Sequence, residues 1–258
     1  MGLMEMIRFF ADPQSIDIST GLISLNKEDT EHIRSLRIRP DEQFIVCDGL
    51  CTDYTCKLGQ RDGGTVAEII TQNKSQGEPD IKCSVFMAFQ KGERLDYAVQ
   101  KSVELGVYNI VLFESERCIA VPRDIQKKIT RLQRIAFETA KLCGRGRIPE
   151  VTSGGKFNEI IKTAATCSIL PLFFYESEEN LHIKDVLEQY LPLSAGYDEN
   201  KQNSVSILTG PEGGFEPHEA EAARSEGFKI VSLGPRILRS ETAPVAALTA
   251  IMYQSGNL

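Results

Sequence analysis

Ser204-Val-Ser-Ile-Leu-Thr-Gly-Pro-Glu-Gly-Gly-Phe215 runs from an apolar stretch into three glycines and a proline, and a polar helical pattern opens at Pro217. A strand ending in a glycine loop that feeds a helix is the repeating unit of parallel α/β sheets. Glycine lets backbone amides approach a ligand without a Cβ in the way and permits positive φ. A plain strand-to-helix turn needs one or two glycines and rarely Gly-Pro-x-Gly-Gly. The loop lacks the Gly-Lys-Ser/Thr of a phosphate loop and the Gly-x-Gly-x-x-Gly of a dinucleotide fingerprint.

One element further on, the strand Lys229 to Leu233 runs into Leu233-Gly-Pro-Arg-Ile-Leu-Arg-Ser-Glu-Thr-Ala243. This connection packs Arg236, Arg239 and Glu241 ahead of an apolar closing helix, Thr242 to Tyr253, for which Ser240 or Thr242 is the expected cap. Arg239 and Glu241 alone would read as a surface pair of little energetic value. Two successive strand-end loops of this kind in one parallel sheet point instead to a shared ligand site, because ligands sit beyond the carboxyl ends of parallel strands.

Working toward the N-terminus, the alternation continues. Strands are expected at Lys82 to Ala88, Asn109 to Phe113 and Ser168 to Tyr175, and helices at Arg94 to Leu105, Ile125 to Leu142, Ile183 to Tyr190 and Pro217 to Glu226. The stretch Gly154 to Thr166 reads as a linker, and Tyr197 to Asn203 carries no recognisable pattern. The first 75 residues differ. Gln43 to Cys47, Tyr54 to Leu58 and Thr65 to Ile70 are short strands separated by Asp48-Gly49 and Asp62-Gly63-Gly64, with one helix at Lys27 to Leu36 and a polar linker from Asn73 to Asp80. The domain division follows: a β-rich module over 1–75 and an α/β domain with a mostly parallel sheet over 80–258.

Composition narrows the class. Of 258 residues 41% are hydrophobic and 25% charged, which is ordinary for a globular chain long enough to bury a core. No apolar run approaches a membrane span. The start Met1-Gly-Leu-Met-Glu-Met6 lacks a basic flank and an apolar run, its three methionines leave the start codon open, and a cytoplasmic location is the default. Seven cysteines cannot all pair, and Cys47, Cys51 and Cys56 lack the recurring spacing or neighbouring His of a zinc site, so neither metal nor disulfides are expected. The net charge of −7 argues against indiscriminate nucleic-acid binding. Yet from Arg123 to Arg147 eight basic residues stand against two acidic ones. Such a stripe is either a solvated helix face or a phosphate-binding belt.

The pair Gly210-Pro-Glu-Gly-Gly214 and Leu233-Gly-Pro-Arg-Ile-Leu-Arg-Ser-Glu-Thr-Ala243 resembles the hallmark of the bacterial 16S ribosomal RNA uracil-N3 methyltransferases of the SPOUT superfamily. Lys91-Gly-Glu-Arg94, Gln100-Lys-x-x-Glu-Leu-Gly-Val107, Ser115-Glu-Arg117 and the Arg8-Phe-Phe start agree, so the resemblance runs over nearly the whole chain. It implies a C-terminal trefoil-knot domain, an N-terminal PUA-like β-barrel that helps hold RNA, and a homodimer. Periodicity cannot show a knot, which is otherwise exceptional. The chain departs from the family at Leu142, where an amide is usual, and around His32, where a His-His pair is usual.

By the same resemblance S-adenosyl-L-methionine is the cofactor. It is expected against Leu208, Thr209, Gly210, Pro211, Glu212, Gly213 and Gly214, and against Leu233, Gly234, Pro235, Ile237 and Leu238. Tyr175 and Glu176 complete the wall, with Thr242 and Ala243 at the helix start. Uracil N3 is protonated at neutral pH, so a site must offer a base or a cation that stabilises the uridinate. Arg239 and Glu241 are the pair available; two residues apart on an extended backbone, they would point the same way. Arg145 is expected to reach the site from the partner subunit. RNA, in the form of 16S rRNA or the small ribosomal subunit, is expected on Arg123, Lys127, Lys128, Arg131, Arg134 and Arg147, and on Arg8, Arg34 and Arg37 of the first module. The closing helix, Val245 to Met252, is the candidate dimer surface or else core. Two other readings stay open: another SPOUT enzyme such as a ribose 2′-O-methyltransferase, and a non-catalytic RNA-binding assembly protein.

Overall fold

The computed structural model describes residues 6–61, 63–191 and 204–258. The start at residues 1–5, the turn residue Asp62 and the segment Tyr197 to Asn203 lie outside them. The chain divides into two units, one drawn from Met1–Glu78 and Ala140–Ile148, the other from Pro79–Thr139 and Pro149–Leu258.

In the first unit the strands are β1 (Arg8–Phe10), β2 (Ile16–Asp17), β3 (Leu22–Ser24), β4 (Phe44–Cys47), β5 (Thr52–Arg61) and β6 (Gly64–Lys74), with helix α1 (Lys27–Leu36) after β3. They form one mixed sheet in the order β1-β4-β5-β6-β3-β2, in which only β1 and β4 run parallel. Asn26 caps α1 by accepting the Asp29 N–H at 2.7 Å, and Arg37 ends it in the left-handed conformation at φ 54°. The helix presents Ile33 to a core of Phe9, Ile23, Phe44, Val46, Tyr54 and Ala67.

Ala140–Ile148 belongs to this unit, whereas the sequence placed these residues in the domain 80–258. One carboxylate accounts for the difference. Glu78 accepts Arg145 Nε at 2.8 Å and Nη2 at 2.9 Å, the Gly146 N–H at 2.8 Å and the Arg147 N–H at 3.2 Å. Cys51 N–H donates to the Gly146 carbonyl at 2.9 Å. A buried ion pair persists where further hydrogen bonds satisfy its members, as the Gly146 and Arg147 amides do for Glu78.

The second unit alternates strand and helix: β7 (Lys82–Ala88), α2 (Arg94–Glu104), β8 (Asn109–Glu114), α3 (Ile125–Leu142, whose last three residues count with the first unit), β9 (Glu150–Lys156), α4 (Phe157–Thr166), β10 (Leu170–Phe174), α5 (Ile183–Tyr190), β11 (Ser204–Thr209), α6 (Pro217–Ser225), β12 (Lys229–Val231) and α7 (Thr242–Gln254). Its sheet is wholly parallel, in the order β12-β10-β11-β7-β8-β9. The fold class is therefore α/β, with one mixed and one parallel sheet. Central strands β7 and β11 are buried along Cys83–Ala88 and Val205–Thr209, the signature of strands covered on both faces.

The linker expected over Gly154 to Thr166 is instead the end of β9 and all of α4. Phe157, Ile160, Ile161 and Ala164 recur at helical spacing and enter an aromatic core in which the Phe173 and Phe215 rings stand 4.4 Å apart. The closing helix starts on Glu241 with no side-chain cap, so neither Ser240 nor Thr242 plays the expected role. Pro244, Ala247, Leu248, Ile251 and Met252 of α7 are core; Val245, Ala246, Thr249 and Ala250 are half-buried.

Candidate functional site

Because all six strands of the second sheet run parallel, the loops after β7, β8, β10, β11 and β12 emerge on one edge. The glycine loop after β11 is held from three directions there. Glu176, just beyond β10, accepts the Phe215 N–H at 3.0 Å. Gly214 adopts φ +69°, which favours glycine, and a Cβ at that position would displace the Glu176 carboxylate. Arg117, in the loop after β8, donates to the Gly213 carbonyl at 2.9 Å and to Glu216 Oε1 at 2.7 Å. Glu212 accepts the Lys91 N–H at 2.8 Å and Arg94 Nη1 at 2.6 Å. Burial pushes the Glu212 carboxyl up, but these hydrogen bonds and the Arg94 charge outweigh it and leave it below the usual carboxylate range.

The second loop is anchored at its ends. Ser232 N–H donates to the Leu181 carbonyl at 2.8 Å, and Gly234 takes φ +105°. The buried Ser240 accepts Gln90 Nε2 on its carbonyl at 3.1 Å. Between these anchors Pro235, Arg236, Ile237 and Arg239 are exposed, Ile237 to 85%. Arg239 and Glu241 do approach, with Nη1 and Oε1 4.0 Å apart. They meet across a turn rather than along an extended strand: Thr242 N–H donates to the Arg239 carbonyl at 2.8 Å, and Glu241 is helical at φ −74°.

Lys91, Arg94, Tyr97, Arg239, Glu241 and Thr242 line one open cleft of about 580 Å³. Three buried polar atoms of these strand-end segments, Thr209 Oγ1, Glu212 Oε2 and Gln90 Oε1, have no hydrogen-bond partner. Buried polar groups are normally satisfied, so three orphans in adjoining segments mark a place where a polar ligand belongs. A glycine loop beside unsatisfied donors and acceptors suits a nucleoside-bearing cofactor such as S-adenosylmethionine. Among the described residues no group of three His, Cys, Asp or Glu is placed to hold a metal, and no helix is long and apolar enough to cross a membrane.

The other expected site residues scatter. Tyr175, Leu233 and Leu238 are half-buried in the strand-end segments, and Ala243 lies in the first turn of α7. Arg145 is 2% exposed and engaged by Glu78 within the first unit. Arg8 is likewise committed, with both terminal nitrogens on Asp53 at 2.6 Å. In the belt, Lys128 and Arg131 both engage Asp96, whereas Arg123, Lys127 and Arg134 are exposed. Arg34 and Arg37 are exposed at the end of α1, and Arg147 is half-buried. Sequence reasoning assigned no role to Gln90, Lys91, Arg94 and Arg117. Three of them stand in Lys91-Gly-Glu-Arg94 and Ser115-Glu-Arg117, stretches whose signal was present without a function attached.

An RNA methyltransferase domain family model matches residues 77–252. The ribosomal RNA small subunit methyltransferase E of Mesomycoplasma hyopneumoniae is 32% identical over 95% of this chain and 98% of its own. The chain belongs to the ribosomal RNA small subunit methyltransferase E family. Its Bacillus subtilis relative of the same name is 29% identical over 90% of both chains. The crystal structure of the Neisseria gonorrhoeae ribosomal RNA small subunit methyltransferase E bound to S-adenosyl methionine superposes with a TM-score of 0.80 at 28% identity, covering 96% of this chain and 98% of that one. Family membership accounts for the agreement of fold across both units, since these alignments span nearly the whole length.

Proposed function

We propose that the protein is an S-adenosylmethionine-dependent methyltransferase of 16S ribosomal RNA that modifies N3 of one uridine. The observation that carries this reading is the charged cleft at the sheet edge, where Arg239 and Glu241 stand beside a locked glycine loop bearing unsatisfied buried polar atoms. The small-subunit rRNA methyltransferases among its relatives, one of them solved with S-adenosyl methionine, support it.

The residues that would hold the cofactor are Thr209 to Gly214, Leu233 to Leu238, Tyr175 and Gln90, with Glu176 fixing the loop. The cofactor supplies an electrophilic methyl group on a sulfonium. What the chain must add is position, since an in-line displacement gains much of its rate from alignment. It must also accept or loosen the N3 proton. Glu241 takes or orients that proton, and Arg239 steadies the uracil oxygens as negative charge builds. Arg145, engaged by Glu78, enters this reading as a residue that shapes the 140–148 segment. RNA is held by the exposed cations Arg123, Lys127 and Arg134 and by the first unit as a PUA-like module. The reading includes a SPOUT-type trefoil knot, a homodimer and a cytoplasmic location.

The test is methylation of small ribosomal subunits and of free 16S rRNA by the purified protein with labelled S-adenosylmethionine, followed by mapping of the modified base. Label at uridine N3 supports the reading. Label on a ribose 2′-oxygen makes the protein a different RNA methyltransferase. Tight cofactor-free RNA binding with no label transferred makes it an assembly protein.

A further inference from the structure

Arg94 is the first residue of α2, where a cation faces the positive end of the helix dipole and gains nothing from it. What holds it there is a pair of carboxylates from two different loops. Its Nη1 donates to Glu212 Oε1 of the glycine loop at 2.6 Å, and its Nε lies 3.7 Å from Glu241 Oε2 of the second loop. Glu241 in turn stands 4.0 Å from Arg239. The four side chains form a series of alternating charge, Glu212, Arg94, Glu241, Arg239, in which Arg239 is the exposed end.

Two arginines more deeply buried than Arg94 behave differently. Arg8 places both terminal nitrogens on Asp53, and Arg145 places Nε and Nη2 on Glu78, the bidentate geometry of a structural pair. Arg94 forgoes that geometry. Glu212 Oε2 is left buried without a partner while the guanidinium is divided between two loops. Neither loop runs into the other directly, since β12 and α6 intervene, so a shared cation is what keys Glu241 to the cofactor loop.

We infer that Arg94 is a positioning residue for methyl transfer: it fixes Glu241, and through Glu241 the exposed Arg239, relative to the glycine loop. The inference rests on the methyl-transfer reading above. It requires that losing Arg94 harm the chemical step more than cofactor binding, and that its effect be expressed through Glu241.

The variants are Arg94→Ala, Arg94→Lys and Arg94→Ala combined with Glu241→Gln, compared with the unaltered protein on small ribosomal subunits. For Arg94→Ala the single-turnover rate is expected to fall on the order of 30-fold, less than the roughly 100-fold or more for loss of a general base because Arg94 acts only through Glu241, with the cofactor KM within a few-fold of normal. Millimolar guanidinium should restore part of that rate, which a merely structural loss would not allow. Arg94→Lys keeps the charge but not the fork, should fold if Ala does not, and should remain about tenfold slow. The double variant should be little slower than the slower single one, because the two residues act as a unit. A raised cofactor KM at unchanged kcat, additive effects in the double variant, or no response to guanidinium overturns the inference. If the unaltered protein transfers no methyl group, the functional reading fails instead. Hydrogen exchange at residues 238–243 then decides the positioning claim: faster exchange in Arg94→Ala upholds it, and unchanged exchange removes it.

Discussion

The two loops at the sheet edge are built to opposite plans. The glycine loop is gripped by Glu176, Arg117 and the Lys91–Arg94 turn, and its one positive-φ residue, Gly214, sits where a side chain would displace the Glu176 carboxylate. The second loop is fastened at Ser232 and Ser240 and leaves Arg236, Ile237 and Arg239 standing in solvent. If the glycine loop holds the cofactor, as proposed, it gains by being finished before the ligand arrives, because order supplied in advance is not charged against binding. If the second loop meets a base presented by RNA, as proposed, it gains by keeping its charges exposed until charge develops on that base. The contrast makes distinct demands of mutants in each loop.

The largest effect belongs to the rigid loop. In Gly214→Val a branched side chain must adopt φ near +69° and displace the Glu176 carboxylate from the Phe215 N–H. Strain of about 1–3 kcal/mol and a lost hydrogen bond of about 1 kcal/mol together weaken cofactor binding on the order of 30- to 1,000-fold. The fold persists, because the loop lies beyond the strands. Calorimetry with S-adenosylmethionine on a protein shown folded by circular dichroism checks this; unchanged affinity would place the cofactor elsewhere.

The exposed loop should respond in rate and not in affinity. Glu241→Gln keeps the shape and removes the charge, so the single-turnover rate at pH 7 should drop about 100-fold, the lower end for a general base, while the cofactor dissociation constant stays near normal. Arg239→Lys should cost about tenfold, since the ammonium lacks the planar fork. Normal methylation by Glu241→Gln at pH 7 would reduce Glu241 to a support for Arg239, and the distinction between the two loops would then rest on Arg239 alone.

How much of this was legible differs along the same line. Hydrophobic periodicity gave β7, α1, α3 and α5 at the observed bounds, because each is a clean run of one period. Helix α4 carries the same 3.6-residue spacing at Phe157, Ile160, Ile161 and Ala164, but Gly154 and Gly155 ahead of it read as a linker. The site was legible as loops and not as clamps. Gly214 announced itself by type, whereas the partners that fix the loop come from residues 91, 94, 117 and 176, whose approach depends on strand order in the sheet. The same limit hid the Glu78–Arg145 pair, which joins residues 67 apart and draws 140–148 into the first unit. The spacing rule that aligned Arg239 with Glu241 assumed extended backbone; the pair forms because a turn folds them together.

A third, smaller effect separates charge committed within the protein from charge available outside. Lys128 and Arg131 already engage Asp96, so reversing them would disturb α2 as well as any bound RNA. Arg123, Lys127 and Arg134 are exposed and make the cleaner probe. Changing all three to Glu should lower the slope of log affinity for rRNA against log salt by about 2 to 3, at roughly 0.7–0.9 for each phosphate no longer neutralised. Cofactor binding should be untouched. An unchanged slope would make this face of α3 a solvated helix surface.

The smallest effect tests how the rigid loop is fastened. Glu212 titrates below the usual carboxylate range in the folded protein, since hydrogen bonds from Lys91 and Arg94 outweigh its burial. A carboxyl whose folded pKa is depressed binds fewer protons in the native state than in the unfolded one across that interval. Its stabilisation is therefore complete above the unfolded value of 4.5 and is lost as pH falls through the lower folded value. Glu212→Gln removes this contribution at every pH. The gap in Tm between the unaltered protein and Glu212→Gln should be widest near neutrality, hold down to about pH 4.5, and narrow below it. Thermal scans of the two proteins at stepped pH read the gap directly. A gap that ignores pH would mean that Glu212 holds the loop by shape alone, and that the Arg94 charge contributes nothing to seating it.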